Sequence, residues 1–206
     1  MFARSTTVHG RTESIAAGIQ YVQDDVMPMM RGIDGCVGLS MLVDDDSGTC
    51  VVTSAWRSSE AMRTSERRIR LTRDHTAEIL NGDTQVDEWE ISVLHRDHSA
   101  GEGACVRCTW FRVPEGRFNR GIDIYRVGLL PEIDDMDGFG SASLFTDREA
   151  GIAVSSVTFD SRAAMARTRG QADSLRGAAA KQAGLEVLDI GEFELVLAHL
   201  RVPEMA

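Results

Sequence analysis

An internal repeat limits what this chain can fold into more than any other feature. The segments Asp34–Met62 and Asp137–Met165 have equal length and align without a gap, Asp34 matching Asp137 and every later residue keeping that offset. Gly35/Gly138, Ser40/Ser143, Asp44/Asp147, Gly48/Gly151, Ser58/Ser161, Ala61/Ala164 and Met62/Met165 are identical pairs. Self-similarity of this kind means one structural unit built twice, and missing it misreads the fold.

The match extends on both sides. Phe2-Ala-Arg-Ser-Thr-Thr aligns with Cys105-Val-Arg-Cys-Thr-Trp, so Arg4 meets Arg107 and Thr6 meets Thr109; both runs read as strands. Ile15, Ile19, Val22, Val26 and Met30 recur at helical spacing, answered by Phe118, Ile122, Tyr125, Leu129 and Ile133. Pro28 and Pro131 stand near the ends of these helices, where a missing backbone donor bends or ends the helix. Next comes a hairpin turning at Asp44–Gly48, with a positive φ expected at the glycine. Ser58 and Ser161 are placed as N-caps of second helices over about 59–81 and 161–182. Asp87–His95 and Gly191–His199 close the units, the second shifted by one further residue. Strand alternation puts Trp89, Ile91 and Val93 on one side and Glu88, Glu90, Ser92 and Leu94 on the other.

Each copy therefore reads β-α-β-β-α-β, the ferredoxin-like order. The expected class is α+β: repeat 1 over residues 1–96, a polar glycine-rich linker over 97–103, and repeat 2 over 104–206. A lone unit leaves one sheet face bare, so two antiparallel sheets are expected to cover each other as one pseudo-dimeric, eight-stranded barrel. With the first strand beside the fourth, Arg4 and Arg107 are expected to pair with Glu90 and Glu194 and to line the barrel interior.

Bulk properties narrow the partners. The formal charge of −10 argues against nucleic acid and anionic membranes, because phosphate binding needs a basic surface. No apolar run is long enough to span a bilayer, and MFARSTTVHG lacks a signal-peptide core, so a cytoplasmic location is expected. Cys105 and Cys108 have C-x-x-C spacing, but on a strand residues three apart face opposite sides, and buried free thiols are the expectation. The Asp44–Asp46 run lacks the ligand spacing of a calcium loop, and His95 with His98 reads as linker chemistry; no metal site is expected.

The unit resembles the antibiotic biosynthesis monooxygenase family, within the dimeric α+β barrel superfamily. The resemblance is carried by Val113-Pro-Glu-Gly116, the Asp-Gly pair before the second strand, and Trp56-Arg-Ser-Ser-Glu-Ala-Met62 at the second helix. It covers nearly the whole chain, once per half, and implies a tandem fusion of two units that normally pair as a homodimer, with further homo-oligomerisation open. It also implies a ligand site between a sheet and its helices. Members oxidise phenols to quinones with molecular oxygen and no cofactor, and a branch binds and degrades haem.

That branch has an asparagine in the first strand, then a tryptophan and a haem-ligating histidine in the second helix. Here Thr6 and Thr109 stand at the asparagine place and Ser65 at the tryptophan place. Asp74 stands at the histidine place, with His75 one residue beyond; copy two has Thr168 and Gly177. The implied function is a monooxygenase acting on a small aromatic or hydrophobic molecule, either cofactor-independent or haem-binding. The alternative is a non-catalytic binding or structural barrel that has lost the site. His75 is the catalytic candidate, as haem ligand or proton acceptor, against an exposed histidine on a charged helix. The substrate-binding candidates are Arg4, Thr6, Arg107, Thr109, Trp110 and Tyr125, against ion pairing for the arginines and core packing for the aromatics.

Overall fold

The computed structural model describes residues 1–200 together with Val202 and Pro203. The last residues of the expected second repeat, Arg201 and 204–206, lie outside the described residues. The first half runs β1 (Phe2–His9), α1 (Ile15–Tyr21), α2 (Met27–Arg31), β2 (Cys36–Asp44), β3 (Thr49–Trp56), α3 (Ser59–Leu80) and β4 (Asp83–Arg96). The second runs β5 (Cys105–Arg112), α4 (Phe118–Asp123), α5 (Leu130–Asp134), β6 (Phe139–Asp147), β7 (Ile152–Phe159), α6 (Arg162–Arg167), α7 (Arg169–Ala183) and β8 (Glu186–Leu200). Among these residues no helix is long and apolar enough to cross a membrane.

The residues that recur identically are those that fix turns, caps and close approaches. Gly48 and Gly151 turn the hairpins at φ 73° and 72°, a left-handed conformation that strains any side chain. Gly35 and Gly138 also have positive φ, and a Cβ on either would fall 2.5 or 2.6 Å from the methyl of Ala61 or Ala164. Ser58 and Ser161 cap their helices, each hydroxyl accepting from the amide three residues on, Ala61 at 3.1 Å and Ala164 at 3.2 Å.

All strands form one closed barrel in the order β1-β3-β2-β8-β5-β7-β6-β4, so each half has its strands in the order 4-1-3-2 and the class is α+β with ferredoxin-like halves. Two compact units emerge from the contacts. One holds Met1–Trp89 with Leu195–Val202; the other holds Glu90–Glu194 with Pro203. The sequence repeats and the compact units thus differ in the far ends of β4 and β8.

The arginines pair with carboxylates of the neighbouring strand, but two residues earlier than the sequence suggested. Arg4 bonds Glu88 at 2.7 Å, and Arg107 bonds Glu192 at 3.0 Å from Nε. Register decides this: Arg107 lies opposite Glu192, and Glu194 lies opposite Cys105. Neither arginine lines the barrel interior as expected. Both sit on the sheet face that the helices cover. A bulge at Ser92 corrects the alternation read for β4. Ile91 pairs with Phe145 and Val93 with Leu144, so Val93 joins the core under the helices while the Trp89 indole donates to Ser5 Oγ. The extra residue of copy two is accommodated in β8, where Trp110 pairs with Asp189, Phe111 with Val187, and Leu188 is skipped.

The prolines do not end their helices. Pro28 and Pro131 lie in the first turn of α2 and α5. Directly before them the helix widens into π-helical segments, Val22–Val26 and Ile124–Leu129. A proline has no amide for the carbonyl one turn back, and the widened turn absorbs that loss. The second helix of copy one is unbroken, whereas copy two breaks at Thr168 between α6 and α7.

Candidate functional site

Under the copy-two sheet lies a cavity of about 90 Å³. Its floor is the helix-facing side of β5, β6 and β7, where period-two alternation brings up Arg107, Thr109, Leu144, Ser155 and Phe159. The roof comes from α4, α5, the π-helical turn and α7, through Phe118, Ile122, Ile133, Ala172, Ala179 and Ala183. The walls are apolar, with a few convergent polar groups, which is the usual make-up of a small-molecule site.

Tyr125 is delivered by the widened helical turn. Its hydroxyl donates to the Ser143 carbonyl at 3.4 Å and stands 3.1 Å from Ser155 Oγ. Burial pushes this hydroxyl up to about 12, against a smaller opposing effect of the Ser155 hydrogen bond. It therefore stays protonated at neutral pH and serves as a donor.

Arg107 is the one charged group on the floor, and it is 4% exposed. Nε donates to Glu192, and Nη2 to the Met165 carbonyl at 2.7 Å. The guanidinium carbon lies 5.6 Å from the centroid of the Phe159 ring, a cation–π contact. Nη1 is buried and has no hydrogen-bond partner. Thr168, where the helix breaks, donates to the same Met165 carbonyl.

Copy one has a counterpart of about 40 Å³, lined by Arg4, Thr6, Val8, Val22, Ile69, Thr72, Arg73 and Thr76 among others. Side-chain size explains the difference. Ile69, Thr76 and Leu80 stand where copy two has Ala172, Ala179 and Ala183. Leu80 is fully buried and packs against Gly18. Val22 and Val52 occupy the places of Tyr125 and Ser155, so copy one lacks that polar pair.

The candidates named from sequence separate cleanly. Arg107, Thr109 and Tyr125 converge on the larger cavity, and Arg4 and Thr6 on the smaller. Trp110 faces the other side of β5 and meets Phe193 edge-on with centroids 6.4 Å apart. His75 lines neither cavity. It lies 54% exposed on α3, 3.2 Å from Glu78 and edge-on to Tyr21. Ser155 was missed, although its place in the Ala153–Phe159 alternation was the available signal. Cys105 packs in the core beneath the helices, while Cys108 faces the opposite side against Ser156; burial pushes the Cys108 thiol up to about 11.

Haem does not fit this donor set. Among the described residues the lining of the larger cavity has no imidazole, thiol or carboxylate, its one thioether, Met136, is packed into the apolar core, and its single phenol is committed to Ser155 and Ser143.

Strand order and half-unit topology define the fold: a closed barrel with both ferredoxin-like halves in one chain, similar to a Listeria monocytogenes ferredoxin-fold protein related to antibiotic biosynthesis monooxygenases, with a TM-score of 0.55 at 9% identity. A candidate monooxygenase of Fusobacterium nucleatum superposes with a TM-score of 0.72 at 12% identity, over 97% of this chain and 94% of that one. An anthrone oxidase-like protein gives 0.71 at 15%, over 97% and 92%. The heme-degrading enzyme LmHde of Listeria monocytogenes gives 0.55 at 10%, over 94% and 99%. No protein-family model matches the chain. Two Mycobacterium tuberculosis (strain ATCC 25618 / H37Rv) proteins, both uncharacterized, are far closer in sequence. Rv2557 is 51% identical over 205 residues, covering 100% of this chain and 92% of its own length. Rv2558 is 50% identical over 206 residues, covering 100% and 87%. The chain belongs to the family of these two proteins.

Proposed function

We propose that the copy-two cavity binds a small aromatic or hydrophobic molecule and that the protein oxidises it as a cofactor-independent monooxygenase. One observation carries the reading: an apolar cavity with Arg107 and Thr109 on its floor and Tyr125 reaching from the roof to Ser155. Oxidation of a phenol or anthrone to a quinone places one atom of molecular oxygen in the substrate and releases the other as water. The substrate supplies the electrons and must react as its anion. Because the lining has no carboxylate or imidazole, the cavity is suited to hold an anion already formed, with Arg107 stabilising its charge. Apolar walls keep water from the reacting carbon.

The lack of a base on the lining also favours a second reading, a barrel that binds such molecules without transforming them. Oxygen consumption with anthrone-like phenols separates the two. Turnover whose pH dependence follows each substrate's own ionisation supports the oxygenase. Saturable binding with no oxygen uptake across the substrate's ionisation range supports the binding protein. Absence of binding removes both.

A further inference from the structure

We propose that the ligand of the copy-two cavity is an acid, whose carboxylate or phenolate oxygen takes up Nη1 of Arg107. The inference rests on the reading of that cavity as a ligand site and adds the atom that holds the ligand's charge and the exchange that makes it available.

Two matched positions carry it. In copy one the buried arginine meets two carboxylates: Arg4 lies 2.7 Å from Glu88 and, through Nη1, 2.9 Å from Glu66. The Glu66 contact is an ion pair whose angle falls outside hydrogen-bond geometry. Glu66 is in turn held by Arg73 at 2.7 Å, and its carboxyl lies below the usual range, chiefly through that hydrogen bond. Arg63, 75% exposed, is a further cation 3.8 Å from Glu88.

In copy two the residue matching Glu66 is Arg169. The second carboxylate is replaced by a second cation, which takes the other oxygen of Glu192 at 2.6 Å. Arg107 and Arg169 thus share one carboxylate. Arg176, matching Arg73, lines the cavity and is paired with Asp173. A guanidinium 4% exposed with an unpartnered Nη1, on the floor of an apolar cavity, is costly to leave unmatched. An anionic oxygen on the ligand replaces what Glu66 provides in copy one. The glutamate-to-arginine exchange thus leaves Arg107 with one carboxylate, shared with Arg169, where Arg4 has two.

The test compares 1-naphthoate with its neutral isostere 1-naphthamide, by calorimetric titration of the full chain near pH 7.5 in 0.15 M salt. The chain's charge of −10 repels acids in general, so a preference for the acid reports the local site. Naphthoate is expected to bind at least about ten-fold tighter, as a charge-assisted hydrogen bond in a dry site provides. Arg107→Gln should abolish that preference, but it also takes from Glu192 one of its two arginines. Arg169→Glu, at a residue 59% exposed, is therefore the second variant: it restores copy one's arrangement and should erase the preference while leaving naphthamide binding unchanged. Equal binding of acid and amide, as a water on Nη1 would give, overturns the proposal and leaves the ligand-site reading standing. A preference that survives Arg169→Glu also overturns it. Failure of both compounds to bind overturns the proposal and the ligand site together.

Discussion

Leu80 packs against Gly18 so closely that a Cβ on the glycine would lie 2.4 Å from Leu80 Cδ2. At the matching places copy two has Ala183 and Gly121, both lining its cavity, and nothing lies within 4 Å of a Cβ on Gly121. One fold has thus been filled in one half and opened in the other by side chains on the same helical faces.

Leu80→Ala should reproduce the opening in copy one. The side chain is fully buried, so the expected cost is about 2–5 kcal/mol, from lost transfer energy and a residual void. Chemical denaturation measures it, and the variant should gain a small apolar site beneath the copy-one sheet. A cost well under 1 kcal/mol would mean that the helices collapse onto the gap.

Tyr125→Phe removes the phenol and leaves Ser155 Oγ without that neighbour. A loss of about 1–2 kcal/mol is expected, typical of a buried hydrogen bond with one partner deleted. If the phenol turns its one proton from the Ser143 carbonyl to a bound ligand, a phenol substrate loses affinity in the variant while toluene does not. Equal losses for both would confine Tyr125 to a packing role.

His98 gives the fold a pH dependence. It lies 2.8 Å from Asp97 and 2.7 Å from Asp160, and these hydrogen bonds, Asp97 foremost, raise its affinity for a proton. The folded value exceeds the unfolded value of about 6.5, so the stabilisation is complete below that pH and fades as pH rises through the folded value. Thermal melts of wild type and His98→Asn should differ most at low pH and converge as the medium becomes alkaline. A gap that stays constant from pH 5.5 to 9 would exclude this linkage.

Most of the architecture was legible in the sequence because the repeat exposes it. Turn glycines, N-cap serines and helical apolar spacing recur at one offset, and each does locally what its chemistry dictates. Details set by pairing register were not legible. A two-residue difference decides whether Arg107 meets Glu192 or Glu194, and bulges at Ser92 and Leu188 break the alternation that such reasoning assumes. The site was half legible. Arg107, Thr109 and Tyr125 could be named, since strand and helix periods place them on one face. The decisive contrast lies in the second helix, and the informative residues are small. Ala172, Ala179 and Ala183 make room, whereas His75 on the copy-one helix points to solvent.

The account's central claim is that copy two, and not copy one, holds the ligand. Anomalous diffraction from crystals soaked in 4-bromophenol tests it most directly, with wild type beside Ala183→Leu. The expected result is a bromine peak among Phe118, Leu144 and Phe159 in wild type, lost when leucine fills the space. A peak beneath the copy-one sheet, or one in copy two that persists in Ala183→Leu, would contradict the claim.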